Sequence, residues 1–494
     1  MHWRASKCDG SPTLWRDSWE FGSWCCCQIE GERGGVNMRR EGAFNLREQA
    51  QVISLNSTAR PDFLRFVLGL LIVMVISRVH QLVPGLAALR PALVLTIGGL
   101  AYALVRPGAL VRENVARYWW TRLIVLLLIQ SCLSTAFGIS IGNSGKFILY
   151  AYSTVLILAG LLIVATRTTA DLQVFALAWL IGVGALAWQS IFTFKLTHDG
   201  GLSRLSDLNT FDANDAGLIF VTALPVAAAL AMVWRGRMRA FAVLLLVGIG
   251  IGIARTGSRG AFLALLVSGA LMLVLARGVP VAKRVLVALA VVGALFIAAP
   301  PGYFTQMSTI TNPTGDYNWT SPTGRKAVTE RGLGYMMMYP IFGLGINNFA
   351  KAECTISDRV QEQFRGIGVR CTPPHNTWIQ VGAELGVPGL LIWVAMLMVP
   401  LVKLLRLSRT LPLTWRSGDA EQRFLFSCAS ALPIAIIAFM VASTFLTFAW
   451  IDLPYLLVVF SGLTWLFANR RLRVDRGLRP VPTASAIRRG KPNW

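Results

Sequence analysis

An all-α, polytopic membrane protein is the fold class this sequence predicts, and three observations predict it. Of 494 residues, 54% are hydrophobic and 14% charged, against about 25% charged in soluble domains; the mean hydropathy is +0.57. Apolar runs near the ~20 residues that a helix needs to cross hydrocarbon recur along the chain. None alternates like a barrel strand, and helices satisfy their own backbone groups in lipid.

Residues 1–60 are polar, with scattered charges and no sustained period. They read as a poorly ordered cytoplasmic tail or an extension from an upstream start, with Met38 an alternative beginning. No signal peptide is evident, because the first apolar run is followed by many others. Apolar runs then occupy about 62–83, 86–105, 119–139, 146–166, 171–194, 214–234, 238–254, 259–276, 283–300, 376–402, 425–449 and 451–468. The expected organisation is membrane helices one to nine over 61–300, a long loop with short helices over 301–375, helices ten to twelve over 376–468, and a basic tail over 469–494.

The net charge is +23, from 47 Lys+Arg against 24 Asp+Glu. In a membrane protein such a balance points to basic loops facing anionic lipid rather than to nucleic acid. Arg39, Arg40, Arg47 and Arg60 precede the first run, with Arg65 at its start, and Arg106, Arg112, Arg117 and Arg122 follow the second. Arg235, Arg237, Arg239, Lys403, Arg406, Arg409 and the arginines from Arg470 onward fall on the same side. The positive-inside rule makes that side cytoplasm. The 301–375 loop then faces the other compartment.

Basic residues that break this bias are informative, because a cation on the disfavoured face more often has a specific anionic partner. Arg204 lies in Leu202-Ser203-Arg204-Leu205-Ser206-Asp207, ahead of Asp212 and Asn214, either of which suits the cap of the sixth helix; the plainer reading pairs Arg204 with Asp207 or Asp199. Arg255-Thr256-Gly257-Ser258-Arg259-Gly260 is a tight polar break, where guanidinium forks and a helix N-terminus suit phosphate oxygens. The plainer reading is a hairpin with snorkelling arginines. Arg325 and Arg331 open the stretch Arg325–Met338, which suits an amphipathic helix in the interface. Gly343 and Gly345 follow no strand, which removes a dinucleotide-binding reading.

Pro373 and Pro374 discourage helix before His375, and Asn376 or Thr377 suits the cap of the next one. His375 is thus expected at the mouth of a membrane helix, where an imidazole titrates near neutral pH and accepts a proton from a hydroxyl. No metal-ligand spacing and no paired carboxylates placed for glycoside hydrolysis occur, and no metal is expected. The arginines suit a phosphate or pyrophosphate leaving group, and direct displacement inverts the anomeric centre. Cys354 and Cys371 share the long loop and are able to pair in an oxidising compartment; the sequence leaves that pairing open. Cys132 and Cys428 read as small core residues.

The order of these pieces resembles the O-antigen ligase/polymerase family of bacterial envelope glycosyltransferases. The resemblance is carried by Arg204 with Asp212–Asn214, Thr256–Ala261, Gly324-Arg325, Tyr339-Pro340 with Gly343–Phe349, and Pro374-His375-Asn376 with Glu384–Gly389. It implies an inner-membrane transferase with a periplasmic site. Such an enzyme passes glycan from an undecaprenyl-diphosphate-linked donor to a lipid A–core or glycan acceptor, without metal, nucleotide sugar or other cofactor. It further implies His375 as base and Arg204 and Arg259 as diphosphate contacts, with Arg255, Arg325 and Arg331 as further candidates. The shared motifs concern the donor, so ligase, polymerase and protein O-oligosaccharyltransferase stay open. A non-enzymatic transporter of the lipid-linked glycan is the reading from a different class; it predicts broken helices in two related halves.

Overall fold

The computed structural model describes residues 63–111, 113–199, 202–206, 211–275, 280–312, 319, 321, 324–360 and 371–477. The expected tail over 1–60, its cysteines, Asp207, and the basic tail beyond 477 lie outside the described residues.

Each apolar run is a helix. In order these are α1 (Phe63–Ser77), α2 (Pro91–Val105), α3 (Trp119–Phe137), α4 (Ile141–Ala165, through a π turn), α5 (Thr169–Phe192), α6 (Ala213–Val233), α7 (Gly236–Thr256), α8 (Arg259–Leu275) and α9 (Val281–Ala298). Three short helices follow, α10 (Tyr303–Ser308), α11 (Arg325–Met338) and α12 (Phe349–Thr355). The chain ends in α13 (Thr377–Thr410), α14 (Ala420–Ala442) and α15 (Asp452–Asp475). Eight of these, α3 to α7 and α13 to α15, are long and apolar enough to cross a membrane. Apolar but shorter are α1, α2 and α8, at 15, 15 and 17 residues.

Polar side chains set where the helices begin. Thr168 with Asp171, Asp212 with Asp215, and Asp419 with Gln422 form reciprocal capping boxes at α5, α6 and α14. Of the two candidates for α6, Asp212 is the cap. Burial then separates centre from rim. The most apolar windows of α6, α14 and α15 are 78%, 78% and 83% buried, whereas those of α3 and α7 are 33% buried. α6 packs against both α7 and α14, and α13 lies against α3, α14 and α15. The outward faces carry Leu104, Ile129, Leu149, Leu244 and Val274 exposed, the apolar belt expected of lipid contact.

One element departs from an all-helical reading. Lys195–Asp199 and Leu202–Ser206 form an antiparallel hairpin, β1 and β2, with Arg204 opposite Thr197. The Gly200-Gly201 pair between them is a two-residue hairpin signal. Strands this short, flanked by apolar helices, do not register in a hydropathy reading.

α13 carries the feature that orders the rest. At Gly386 its backbone leaves helical geometry, with φ 72° and ψ −177°, a region open essentially to glycine alone. The carbonyls freed by the break are covered by the loop Tyr339–Phe349 and by α3. Leu344 N–H donates to Ala383 O at 2.8 Å and Gly345 N–H to Glu384 O at 3.0 Å. Ser134 Oγ donates to Glu384 O at 2.6 Å and Gln130 Nε2 to Leu385 O at 2.8 Å. In return Val387 N–H donates to Pro340 O at 2.8 Å. The two segments approach so closely that a Cβ on Gly386 would lie 2.7 Å from the Ile341 carbonyl.

Gly386→Ala should therefore destabilise the protein by about 1–3 kcal/mol through backbone strain alone. Gly250→Ala on α7, where nothing lies within 4 Å of the new methyl, should be neutral. Thermal unfolding in detergent checks this; equal midpoints for the two variants would contradict it.

Candidate active site

His375 stands where α13 begins. After two prolines the chain has to turn into the helix, and His375 makes that turn in the left-handed region at φ 46°. Such a conformation costs a non-glycine residue about 1 kcal/mol or more. It is held from both sides. His375 N–H donates to Thr447 Oγ1 at 3.0 Å, and the Asn376 side chain caps α13 by accepting from Trp378 N–H and Ile379 N–H. The histidine side is half-buried, open in part to solvent.

Thr447 belongs to the segment Ser443–Ile451 joining α14 to α15, and one face of α13 pins that segment. Thr377 Oγ1 donates to Leu446 O at 2.8 Å and accepts from Phe448 N–H at 3.0 Å. Gln380 Oε1 accepts from Ala449 N–H at 3.3 Å, and Glu384 Oε2 accepts from Trp450 Nε1–H at 2.7 Å. Thr377, Gln380 and Glu384 are three and then four residues apart, one stripe of a helix. All three are buried.

The same segment receives α8. Gly260 packs on Phe445, so that a Cβ at 260 would lie 2.9 Å from Phe445 Cβ. Arg259, the first residue of α8, donates from Nη1 to Thr309 Oγ1 at 2.8 Å, just past α10. Phe445 touches the neighbour of Arg259, and Thr447 holds the backbone of His375. The backbones beside these two sequence candidates therefore rest on one segment, Phe445–Thr447.

The hairpin completes this end of the bundle. Its second strand, with half-buried Arg204, lies against α6, α7 and α10. Arg255, at the end of α7, donates from Nε to Ser190 O at 2.7 Å and from Nη2 to Phe194 O at 3.5 Å. Its charge thus sits on the carbonyl end of α5, turned inward rather than snorkelling.

Arg325 opens α11, which packs along α13. Arg331, two turns on, is engaged with an acid. Its Nε and Nη2 meet the Glu353 carboxylate at 2.9 and 2.6 Å, and Tyr335 Oη donates to Glu353 Oε1 at 2.9 Å. Glu353 is fully buried. Hydrogen bonding to this carboxylate raises the Arg331 pKa, and burial first, then the carboxylate, raises the Tyr335 phenol above its ordinary range. Both groups therefore keep their protons at neutral pH, as the geometry requires.

Arg78 was hidden inside the first apolar run. It follows α1 in the left-handed region at φ 51°. Its guanidinium lies 5.5 Å from the centroid of Phe211, the residue before the α6 cap, and within electrostatic reach of Asp452. A basic residue closing an apolar run on the side opposite Arg65 was the signal available for it. Arg65 pairs instead with Asp171 at the other end of α5. Cys354 and Cys371, left open by the sequence, form a disulfide with Cα atoms 5.2 Å apart.

Removing one partner of the buried pair strands the other charge. Arg331→Met should cost about 3–5 kcal/mol, and the double variant Arg331→Met/Glu353→Met should recover much of the loss. Thermal unfolding of the two variants tests this; a single variant as stable as the parent would contradict it.

No curated protein matches the chain. The motif-bearing stretch does match a family model, described as O-Antigen ligase, over residues 241–394. That range holds Arg255, Arg259, Arg325, Arg331, the Tyr339–Phe349 loop, His375 and the α13 break, and leaves Arg204 and Arg78 outside it. The chain is thus a multi-pass membrane protein whose residues 241–394 match the O-antigen ligase family, a match that supports a ligase- or polymerase-like role in polysaccharide assembly.

Proposed function

We propose that this protein is an inverting, metal-independent glycosyltransferase of the bacterial inner membrane. It takes glycan from an undecaprenyl-diphosphate-linked donor and joins it to an acceptor hydroxyl, of lipid A–core or of another glycan, on the periplasmic face. The observation that carries this reading is that the Phe445–Thr447 turn receives both the His375 backbone N–H and Gly260, the neighbour of Arg259, with His375 and Arg259 both inside the stretch that matches the family model.

The chemistry follows from the parts. The imidazole of His375 takes the proton as the acceptor oxygen attacks the anomeric carbon. The bond from that carbon to the diphosphate breaks on the opposite side, and its electron pair leaves on undecaprenyl diphosphate. Arg259 and Arg204 stabilise the developing charge from positions fixed before reaction, with Arg325 at the mouth of the same end. Arg255 acts from behind, through the end of α5, and Arg331 through its hold on Glu353. These cations are the groups that would carry the leaving diphosphate's charge in a mechanism without metal.

Two facts support a periplasmic site. The loop that carries Glu353 and His375 contains a disulfide, which forms and persists in oxidising compartments. The opposite end holds the arginine-rich loops. A transporter is the less favoured reading. The break in α13 is the feature it would require, but here the freed carbonyls are covered by the protein's own loop rather than open to a cargo.

In purified protein given lipid-linked donor and acceptor, His375→Ala should lower release of undecaprenyl diphosphate by roughly 10²–10⁴-fold with donor binding retained; full activity would remove the base assignment. Arg259→Ala should weaken donor binding and turnover together, with partial recovery in Arg259→Lys; unchanged donor affinity would exclude it as a phosphate contact. Glycan analysis of a deletion strain separates the acceptors. Bare core with accumulated lipid-linked polymer marks a ligase, and a single repeat on the core marks a polymerase.

A further inference from the structure

The Cys354–Cys371 disulfide joins α12 to the segment that leads into His375. Cys354 sits in α12, next to Glu353, and α12 is firmly held. Glu353 is fully buried under Arg331 and Tyr335, Ser357 Oγ donates to Glu353 O at 2.6 Å, and Phe349 N–H donates to Glu384 Oε1 at 3.3 Å. The Phe349 ring meets Tyr335 edge-on at 5.6 Å between centroids. Cys371 is exposed and lies just four residues before His375.

Those intervening residues transmit position well. Pro373 and Pro374 have φ locked near −65°, and each residue before a proline is confined to extended geometry. Thr372 and Pro374 are also buried. Few soft dihedrals thus remain between the sulfur bridge and the imidazole. Along the chain alone, the path from Cys354 to Cys371 spans a separation of 17 residues. The bridge shortens it to a Cα–Cα distance of 5.2 Å.

We propose that this disulfide is a positioning element for His375 and makes glycosyl transfer dependent on thiol oxidation. The inference rests on the reading of His375 as the base. One end of the Cys371–Asn376 segment is fixed by Thr447 and the α13 cap, and the disulfide fixes the other. Oxidation requires a partner of defined chemistry, a thiol–disulfide oxidoreductase carrying a reactive disulfide. The two thiols lose two protons and two electrons, the partner's disulfide becomes a dithiol, and the Cys354–Cys371 bond forms. A newly inserted chain is then slow until it has been oxidised. The donor-binding arginines lie on α8 and β2, outside this segment, so oxidation acts on turnover and leaves donor affinity alone.

The test uses full-length protein in detergent, reduced with dithiothreitol and then reoxidised with oxidised glutathione, beside Cys354→Ser/Cys371→Ser. Turnover should fall roughly 10- to 100-fold on reduction, the scale of a small misplacement of a catalytic group. The dissociation constant for the lipid-linked donor should stay within about twofold, turnover should return on reoxidation, and the double variant should be slow and insensitive to reductant. Undiminished turnover after reduction would overturn the proposal. So would a loss of turnover and donor affinity together with the thermal transition, which would make the bridge merely structural. If the double variant does not fold, reversible reduction of the parent decides. His375→Ala separates this failure from that of the reading beneath it. An inert His375→Ala beside a reduction-insensitive parent removes the disulfide's role alone, whereas an active His375→Ala removes the base.

Discussion

A helix in a membrane is not free to leave its carbonyls bare, because there is no water in the hydrocarbon to donate to them. α13 breaks at Gly386, and the remainder of the site follows from how that break is satisfied. The Tyr339–Phe349 loop donates N–H groups from Leu344 and Gly345, and α3 supplies Gln130 and Ser134. Fixing the loop there fixes α11 before it and α12 after it. The break is thus the point at which the long polar loop is fastened to the bundle.

From that point order passes up α13 toward His375. Glu384 lies beside the break and accepts from both Trp450 and Phe349, tying the α14–α15 turn to the loop. Gln380 and Thr377 continue the same stripe to the end of the helix. The turn so held receives α8 through Gly260 and His375 through Thr447. Each contact is a modest hydrogen bond, worth about 1 kcal/mol net. Together they leave few alternatives for the relative placement of imidazole and guanidinium, and preorganisation of this kind is what electrostatic catalysis requires.

Much of the fold was legible because hydropathy has a direct physical cause. Every apolar run became a helix, and the caps at Asp212 and Asn376 follow from side chains able to serve the first N–H groups. Local grammar reached less far where the relevant partner is distant in sequence. Gly343–Phe349 and Glu384–Gly389 were visible as two motifs, but nothing in their spacing states that each completes the other's backbone. The Arg331–Glu353 pair spans 22 residues and leaves no local trace. Its existence changes Arg331 from a cation facing a ligand into one that anchors α12. The Thr377–Gln380–Glu384 stripe has a local signal, three polar residues at helical spacing on an apolar span, but its partners in Leu446–Trp450 lie some seventy residues away. Arg78 is concealed because the turn Val79–Leu82 continues the apolar run past the helix end at Ser77.

The central claim is that imidazole and guanidinium groups face one lipid-linked diphosphate at this end of the bundle. A cryo-EM structure of the protein bound to undecaprenyl diphosphate tests it most directly. The account predicts phosphate oxygens within hydrogen-bonding distance of Arg259, about 3 Å, with the His375 imidazole beside the position of the lost sugar. Density for the diphosphate at the opposite end of the bundle, or beyond the reach of Arg259 and His375, would contradict it.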